Sequence, residues 1–239
     1  MASYNGEAYI REQLNSILCQ LSDCDELIVS DDGSTDRTLS IVKEFSDERI
    51  RLFRSPDNRG VTENFEFALK QARGDYIFLA DQDDIWDKDK IRIMAGYLKE
   101  FDLVVSDCMI MDKNGRKLAD SYFKIRHSGT GVIKNICQNT YMGCCMAFKK
   151  KILDYALPFP KHVPMHDWWI GLVADTFDET LFCSEQLVCY RRHGQNETPI
   201  DGQSRLRLKQ RFVHRTALAC GLFKLWVKKN SVTFVSFRR

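Results

Sequence analysis

The sequence predicts an α/β fold: one mostly parallel sheet flanked by helices over residues 1–200, followed by a basic helical tail over residues 201–239. Three observations carry this prediction. Short apolar runs alternate with stretches of helical periodicity, two acidic clusters directly follow two of those runs, and acidic residues cease after Asp201. A chain of 239 residues with 44% hydrophobic content is long enough for one sizeable core.

Between Ala8 and Gln20 the residues Ile10, Leu14, Ile17 and Leu18 recur at three- and four-residue spacing, which predicts a helix with one buried stripe. Leu27-Ile28-Val29 reads as a strand ending at Asp31, and Ser34 or Thr35 is placed to cap a helix whose stripe is Leu39, Ile41, Val42 and Phe45. Ile50 to Phe53 is the next strand. A helix over Asn64 to Ala72 follows, and Gly74 ends it before the strand Tyr76 to Ala80. A helix from Asp89 to Phe101 and strands at Leu103 to Ser106 and Leu187 to Tyr190 continue the alternation. Parallel sheets bind ligands beyond the carboxyl ends of their strands, so Asp31-Asp32 and Asp81-Gln82-Asp83-Asp84 are expected on one edge.

Composition excludes several classes. The nine cysteines show no paired C-x-x-C spacing and no signal-like apolar start precedes them, which argues against a disulfide framework or zinc ribbon and for reduced thiols in a cytoplasm. Lys224 interrupts the best apolar stretch, Ala217 to Val227, so no membrane span is expected. Repeats and low-complexity tracts are absent. Residues 202–239 hold ten Lys or Arg and no acid, leaving residues 1–201 at −8 within a net charge of +2. In the tail, Leu208, Phe212, Ala219, Phe223 and Trp226 suit one helical stripe flanked by basic residues. Two readings stand: a peripheral contact with the inner face of the plasma membrane, or a helix packed on the main domain with solvated basic sides. No nucleic-acid reader motif accompanies the basic charge, and no nucleic-acid partner is expected.

The acidic clusters suggest a chemistry. A nucleoside diphosphate leaving a sugar accumulates negative charge, which a divalent cation held by oxygen ligands neutralises. Asp81 and Asp83, two apart with Asp84 adjacent, suit Mg²⁺ or Mn²⁺. An isolated D-x-D is more often a polar turn. A calcium loop of the EF-hand kind is excluded, because Ile85 and Trp86 stand where an acid and a glycine are required.

The strings Val29-Ser30-Asp31-Asp32-Gly33-Ser34-Thr35-Asp36, Asn58-Arg59-Gly60 with Asn64, and Leu79-Ala80-Asp81-Gln82-Asp83-Asp84 together resemble the family 2 glycosyltransferases of the A-type fold. The likeness runs from Tyr4-Asn5-Gly6 to about Asn196. It implies a nucleotide-sugar donor, a glycan or lipid-linked acceptor in surface polysaccharide synthesis, and rhamnose-type transfer as one family-level expectation. Residue by residue, it implies that Asp31 hydrogen-bonds the nucleotide base near Tyr4, with Asp32, Arg59 and Asp81 also on the donor side. Asp83 ligates the metal with help from Asp81. For Asp31 the alternative is a carboxylate that caps the amides of its own turn.

Gly143-Cys144-Cys145-Met146-Ala147-Phe148 is similar to the family's acceptor-side segment, where Gly143 permits close backbone approach. Met165-His166-Asp167-Trp168-Trp169 matches the place of the family's catalytic base, which makes Asp167 the candidate base of an inverting transfer. With a reference pKa near 4 it is ionised at neutral pH, and no large shift is needed. His166 replaces a frequent Glu and is an acceptor candidate or an orienter of Asp167, unless the pair caps its helix. Of Trp168 and Trp169, one is expected to face a sugar and one to be core. Tyr190-Arg191-Arg192-His193-Gly194-Gln195-Asn196 resembles the segment closing over the diphosphate, with His193 on metal or phosphate and Arg191 or Arg192 on phosphate. The Gln-x-x-Arg-Trp motif of processive synthases is absent, which favours single additions.

One departure is visible. Relatives carry an apolar strand of about five residues ahead of the Tyr-Asn segment, and only Met1-Ala2-Ser3 precede Tyr4, so the first strand is expected to be cut short. That leaves a second function open, a nucleotide- or carbohydrate-binding domain with little turnover. A nucleotidylyltransferase is disfavoured because Asn5-Gly6-Glu7 offers no Gly-rich basic loop.

Overall fold

The computed structural model describes residues 1–55, 60–194 and 208–236. Its elements in chain order are β1 (Ala2–Ser3), α1 (Ile10–Leu18), β2 (Leu27–Asp31), α2 (Thr38–Glu44), β3 (Ile50–Arg54), α3 (Val61–Gln71) and β4 (Tyr76–Phe78). Then come β5 (Ile85–Trp86), α4 (Lys90–Tyr97), β6 (Leu103–Asp112), β7 (Lys117–Ala119), α5 (Tyr122–Arg126) and α6 (Val132–Cys137). The chain continues through β8 (Met146–Lys149), α7 (Leu153–Ala156), α8 (His166–Phe177), β9 (Thr180–Arg192) and α9 (Leu208–Ser236).

The first half is parallel throughout, in the order β1-β2-β3. The second half runs β4-β8-β6-β9-β5 and is mixed. β6 and β9 are parallel, β8 is antiparallel to both of its neighbours, and β7 pairs with β6. Because β8 points the opposite way, its start faces the same edge as the carboxyl ends of β2, β4 and β9. That reversal brings Gly143 to the acidic edge.

The helical stripes bury as their periodicity requires. Ile10, Leu14, Ile17 and Leu18 of α1 and Phe65, Ala68 and Leu69 of α3 are buried. Removing apolar side chains of this size from water stabilises the fold by roughly 1.5–3 kcal/mol each. One expected helix start moves. Ser34 and Thr35 do not cap α2, because Ser34 N and Oγ donate to Asp31 and Thr35 N donates to Asn5 Oδ1. The helix begins instead at Thr38, whose amide donates to Asp36 Oδ1 at 2.9 Å.

The halves meet at β1. Ala2 N donates to Ala80 O at 3.3 Å, and one step on the side chain of Gln82 takes over the strand's role. Tyr4 N donates to Gln82 Oε1 and Gln82 Nε2 donates to Tyr4 O, both at 2.9 Å. Strand β1 holds two residues, and the amino group of Met1 donates to Ile28 O at 2.7 Å. Alongside lies a cavity of about 1130 Å³ whose walls include Leu27, Ile28, Phe65, Leu69, Ile77 and Leu79. It opens between β2 and β4.

All nine cysteines are free thiols. Among the described residues no helix is long and apolar enough to cross a membrane.

Candidate active site

A second cavity, of about 490 Å³, opens at the edge where β1, β2, β4 and β9 end and β8 begins. Tyr4, Asp32, Asp81, Asp83, Gly143, His166, Asp167 and His193 all line it. Side chains separated by up to 189 positions in sequence thus share one cleft.

On the acceptor side, Asp167 sits in the first turn of α8, where the helix dipole favours a carboxylate. Its Oδ2 accepts from Gly143 N at 3.0 Å and its Oδ1 from Trp168 N at 2.6 Å. Burial nevertheless pushes its carboxyl up to about 6, against the pull of those two amides. The shift is larger than the sequence required, because Asp167 is only 7% exposed. Gly143 allows this approach: a Cβ there would stand 3.1 Å from His166 Nε2 and 3.4 Å from Asp167 Cβ.

His166 stacks on Phe65, ring centroids 3.7 Å apart, and is buried. Burial pulls its pKa down to about 3, so the ring is neutral at physiological pH. Neither ring nitrogen has a hydrogen-bond partner among the described residues. His166 therefore does not orient Asp167 through a direct bond, and it does not cap α8. Its polar atoms remain available to a ligand in the cavity.

On the donor side, Asp81 is crowded. Burial first, then the charges of Asp83 and Asp167, push its carboxyl up to about 7. Asp83 Oδ2 lies 2.6 Å from His193 Nε2, and Tyr9 stacks on the imidazole at 5.1 Å. Asp84 is buried and held up in pKa by burial and then by Asp83 and Asp81. Its Oδ1 accepts from Arg191 N at 2.9 Å, while its Oδ2 has no hydrogen-bond partner among the described residues. Ligand atoms of Asp81, Asp84 and Cys144 lie within 4.8 Å of one another. The carboxylate oxygens of this group suit Mg²⁺ or Mn²⁺ better than its thiol does, and the unsatisfied carboxyl charge is what a cation relieves. Asp83 and His193 stand beside them on the same cavity wall.

Three sequence candidates lie elsewhere. Asp31 is buried and does not line the cavity. Its carboxylate accepts from Ser3 Oγ, Gly33 N, Ser34 N and Ser34 Oγ, which is the turn-holding alternative. Asp32 occupies the cavity wall in its place and accepts from Gly60 N at 2.8 Å, fixing the start of α3. Arg191, expected on phosphate, is buried and turned inward: Nε donates to Asp83 O at 2.8 Å and Nη2 to Glu12 Oε2 at 2.5 Å, with Tyr9 under the guanidinium. It braces the acidic loop. Of the two tryptophans, one of them expected to face a sugar, neither lines the cavity: Trp168 is half-buried with Nε1 donating to Asn135 O, and Trp169 is core. Arg59 lies outside the described residues.

Sequence reasoning missed Tyr9, Gln82 and Asn64. Tyr9 steadies His193, Gln82 ties Tyr4 to the acidic loop, and Asn64 lines the cavity while bonding Ser30 at both ends of its amide. Asn64 and Gln82 stood within motif strings. Tyr9 carried no signal of its own.

Fold and site together describe a glycosyltransferase of the A-type fold. The *Staphylococcus aureus* protein TarS 1-349 in complex with UDP-GlcNAc superimposes with a TM-score of 0.70 at 22% identity, over 92% of this chain and 64% of that one. A mannosyltransferase from *Pyrobaculum calidifontis*, in complex with GDP-Man and Mn²⁺, gives 0.65 at 17% identity over 100% and 79%. In sequence, the chain is 32% identical over 216 residues to the dTDP-rhamnosyl transferase RfbG of *Shigella flexneri*, covering 82% of this chain and 73% of the relative. It is 29% identical over 189 residues to WfgD of *Escherichia coli*, a UDP-Glc:alpha-D-GlcNAc-diphosphoundecaprenol beta-1,3-glucosyltransferase, covering 77% and 72%. Residues 1–156 match the model of glycosyl transferase family 2, and the chain belongs to that family.

Proposed function

We propose that the chain is an inverting, metal-dependent glycosyltransferase that moves a sugar from a nucleoside-diphosphate donor to a glycan or lipid-linked acceptor in surface polysaccharide synthesis. One observation carries the reading: the carboxylate of Asp167 shares a cavity with Asp81, Asp83 and His193. The names of the relatives, a rhamnosyl and a glucosyl transferase, support a hexose or deoxyhexose as the transferred unit.

The chain's residues divide the work. Tyr4 and Asp32 hold the nucleotide side, and Asp81, Asp83 and His193 hold a divalent cation. When bound, Mg²⁺ or Mn²⁺ neutralises the charge that grows on the diphosphate. Asp167 accepts the proton of the acceptor hydroxyl as that oxygen bonds to the anomeric carbon from the side opposite the departing diphosphate. The amides of Gly143 and Trp168 keep this carboxylate aimed. His166, neutral and with unpartnered nitrogens, receives a sugar hydroxyl.

The test screens nucleotide-sugars for thermal stabilisation that depends on Mn²⁺ or Mg²⁺, then follows transfer and product configuration by NMR. Turnover with inversion that is lost in Asp167→Asn, while nucleotide still binds, is the expected result. Retained configuration, or nucleotide binding with no turnover under any donor and acceptor, overturns it and favours the binding-domain reading.

A further inference from the structure

We propose that the outward face of α9 is a docking surface for an anionic lipid bilayer. The helix carries two apolar stripes. Leu218 and Leu222 belong to the buried core cluster, with Leu225 packed against it, and Gly221 lies against Trp169 so closely that a Cβ would stand 2.8 Å from its ring. This stripe fixes α9 on α8.

The second stripe faces away. Phe212 is 70% exposed, Phe223 66% and Trp226 53%, and Val213 and Val227 are also exposed. Thr216, Ala219 and Cys220 lie between them at three- and four-residue spacing, so the outward face is continuous along the helix. Phe223 and Trp226 stack on one another, ring centroids 6.4 Å apart. A packed helix exposes its polar side to water, and this one exposes aromatic rings.

Charge selects the partner. Lys224 and Lys228 stand exposed along one flank of the outward stripe, while Arg211 and Arg215 are half-buried and Arg215 Nη2 donates to Cys137 O. No Asp or Glu occurs in residues 202–239. Large apolar side chains beside a basic flank, in a segment free of acids, are the composition of helices that lie in the interface of anionic membranes. A protein partner buried on the same rings needs an acidic rim, and a second copy of α9 would bring cation against cation.

The surface also has a direction. Gly221 meets Trp169, and eight residues on, Lys229 lies 4.8 Å above the ring of Phe177, itself eight residues beyond Trp169. Helices α8 and α9 therefore run parallel. The early part of α9 lies toward the end of α8 that carries Asp167. Resting on the proposed transferase reading, this places the acceptor side of the cleft beside the early turns of α9, alongside a bilayer that holds a lipid-linked acceptor.

Binding is measured on the full chain without donor or acceptor, so its outcome is independent of catalysis. The protein is sedimented with vesicles of phosphatidylcholine and phosphatidylglycerol and with vesicles of phosphatidylcholine alone. Partition into the anionic vesicles that weakens with salt, and that falls at least about tenfold in the F212S/F223S/W226S variant, is expected. These side chains are exposed, so the variant should keep its melting temperature. On the unaltered sequence, brominated lipid should quench tryptophan emission, and Trp226→Phe should lose that quenching while still binding. Equal partition of the triple variant, or no partition into anionic vesicles, overturns the proposal. So does lipid-free self-association that the same substitutions abolish, which would assign the face to a second copy.

Discussion

His193 Nε2 and Asp83 Oδ2 lie 2.6 Å apart, joining the end of β9 to the acidic loop after β4 across 110 residues of sequence. Tyr9 stacks on the imidazole, and Arg191, two residues before His193, clamps the loop backbone through Asp83 O. The proposed ligands are thus held by α1, β4 and β9 at once. Removing either partner should weaken cation binding more than nucleotide binding. His193→Ala and Asp83→Asn are each expected to raise the Mn²⁺ concentration for half-maximal turnover at least about tenfold, or ~1.4 kcal/mol. A metal titration of the rate checks this, and an unchanged midpoint removes these residues from the site.

Proton transfer to Asp167 needs its ionised form. Burial holds that carboxyl up at about 6, so kcat/KM should rise with pH through a midpoint near that value and level off above it. An unburied aspartate would place the midpoint near 4. The sign for stability is opposite. Between the unfolded value near 4 and about 6 the folded protein binds more protons at this site, so its contribution to stability falls as pH rises. Asp167→Asn should abolish the acidic limb along with a rate loss of about 10²- to 10⁴-fold.

Gly143 is a geometric requirement of that base. In Gly143→Ala the new methyl presses on His166 Nε2 at 3.1 Å and on Asp167 Cβ at 3.4 Å. Both residues are packed in, so the carboxylate shifts rather than the methyl. A displacement of this kind should cost about tenfold to a hundredfold in kcat with little change in melting temperature. Steady-state kinetics beside a thermal melt separates this from simple unfolding.

Much of the fold was legible because its signals are local. Ile10, Leu14 and Ile17 announce α1 by spacing alone, and Asp81 and Asp83 reveal a ligand edge because they follow a strand. Orientation was less legible. Arg191 and His193 are two apart on one segment, yet the first is drawn inward by Glu12, Asp83 O and Tyr9 while the second reaches the cleft. Nothing in the string Tyr190-Arg191-Arg192-His193 distinguishes them. Asp31 and Asp32 are a similar case. Three residues of the following turn and β1 donate to Asp31, and the cavity wall falls to Asp32. The antiparallel β8 was likewise hidden, because strand direction is set by tertiary pairing rather than by composition.

The amide of Gln82 behaves as a borrowed piece of backbone, bonding Tyr4 N and O as a neighbouring strand would. Gly6 makes room for it, since a Cβ there would fall 2.1 Å from Gln82 Oε1. One flexible side chain therefore couples the segment proposed to greet the nucleotide to the loop proposed to greet the cation. Occupancy of either should stiffen the other, so that the two ligands bind cooperatively and Gln82→Ala makes them strangers.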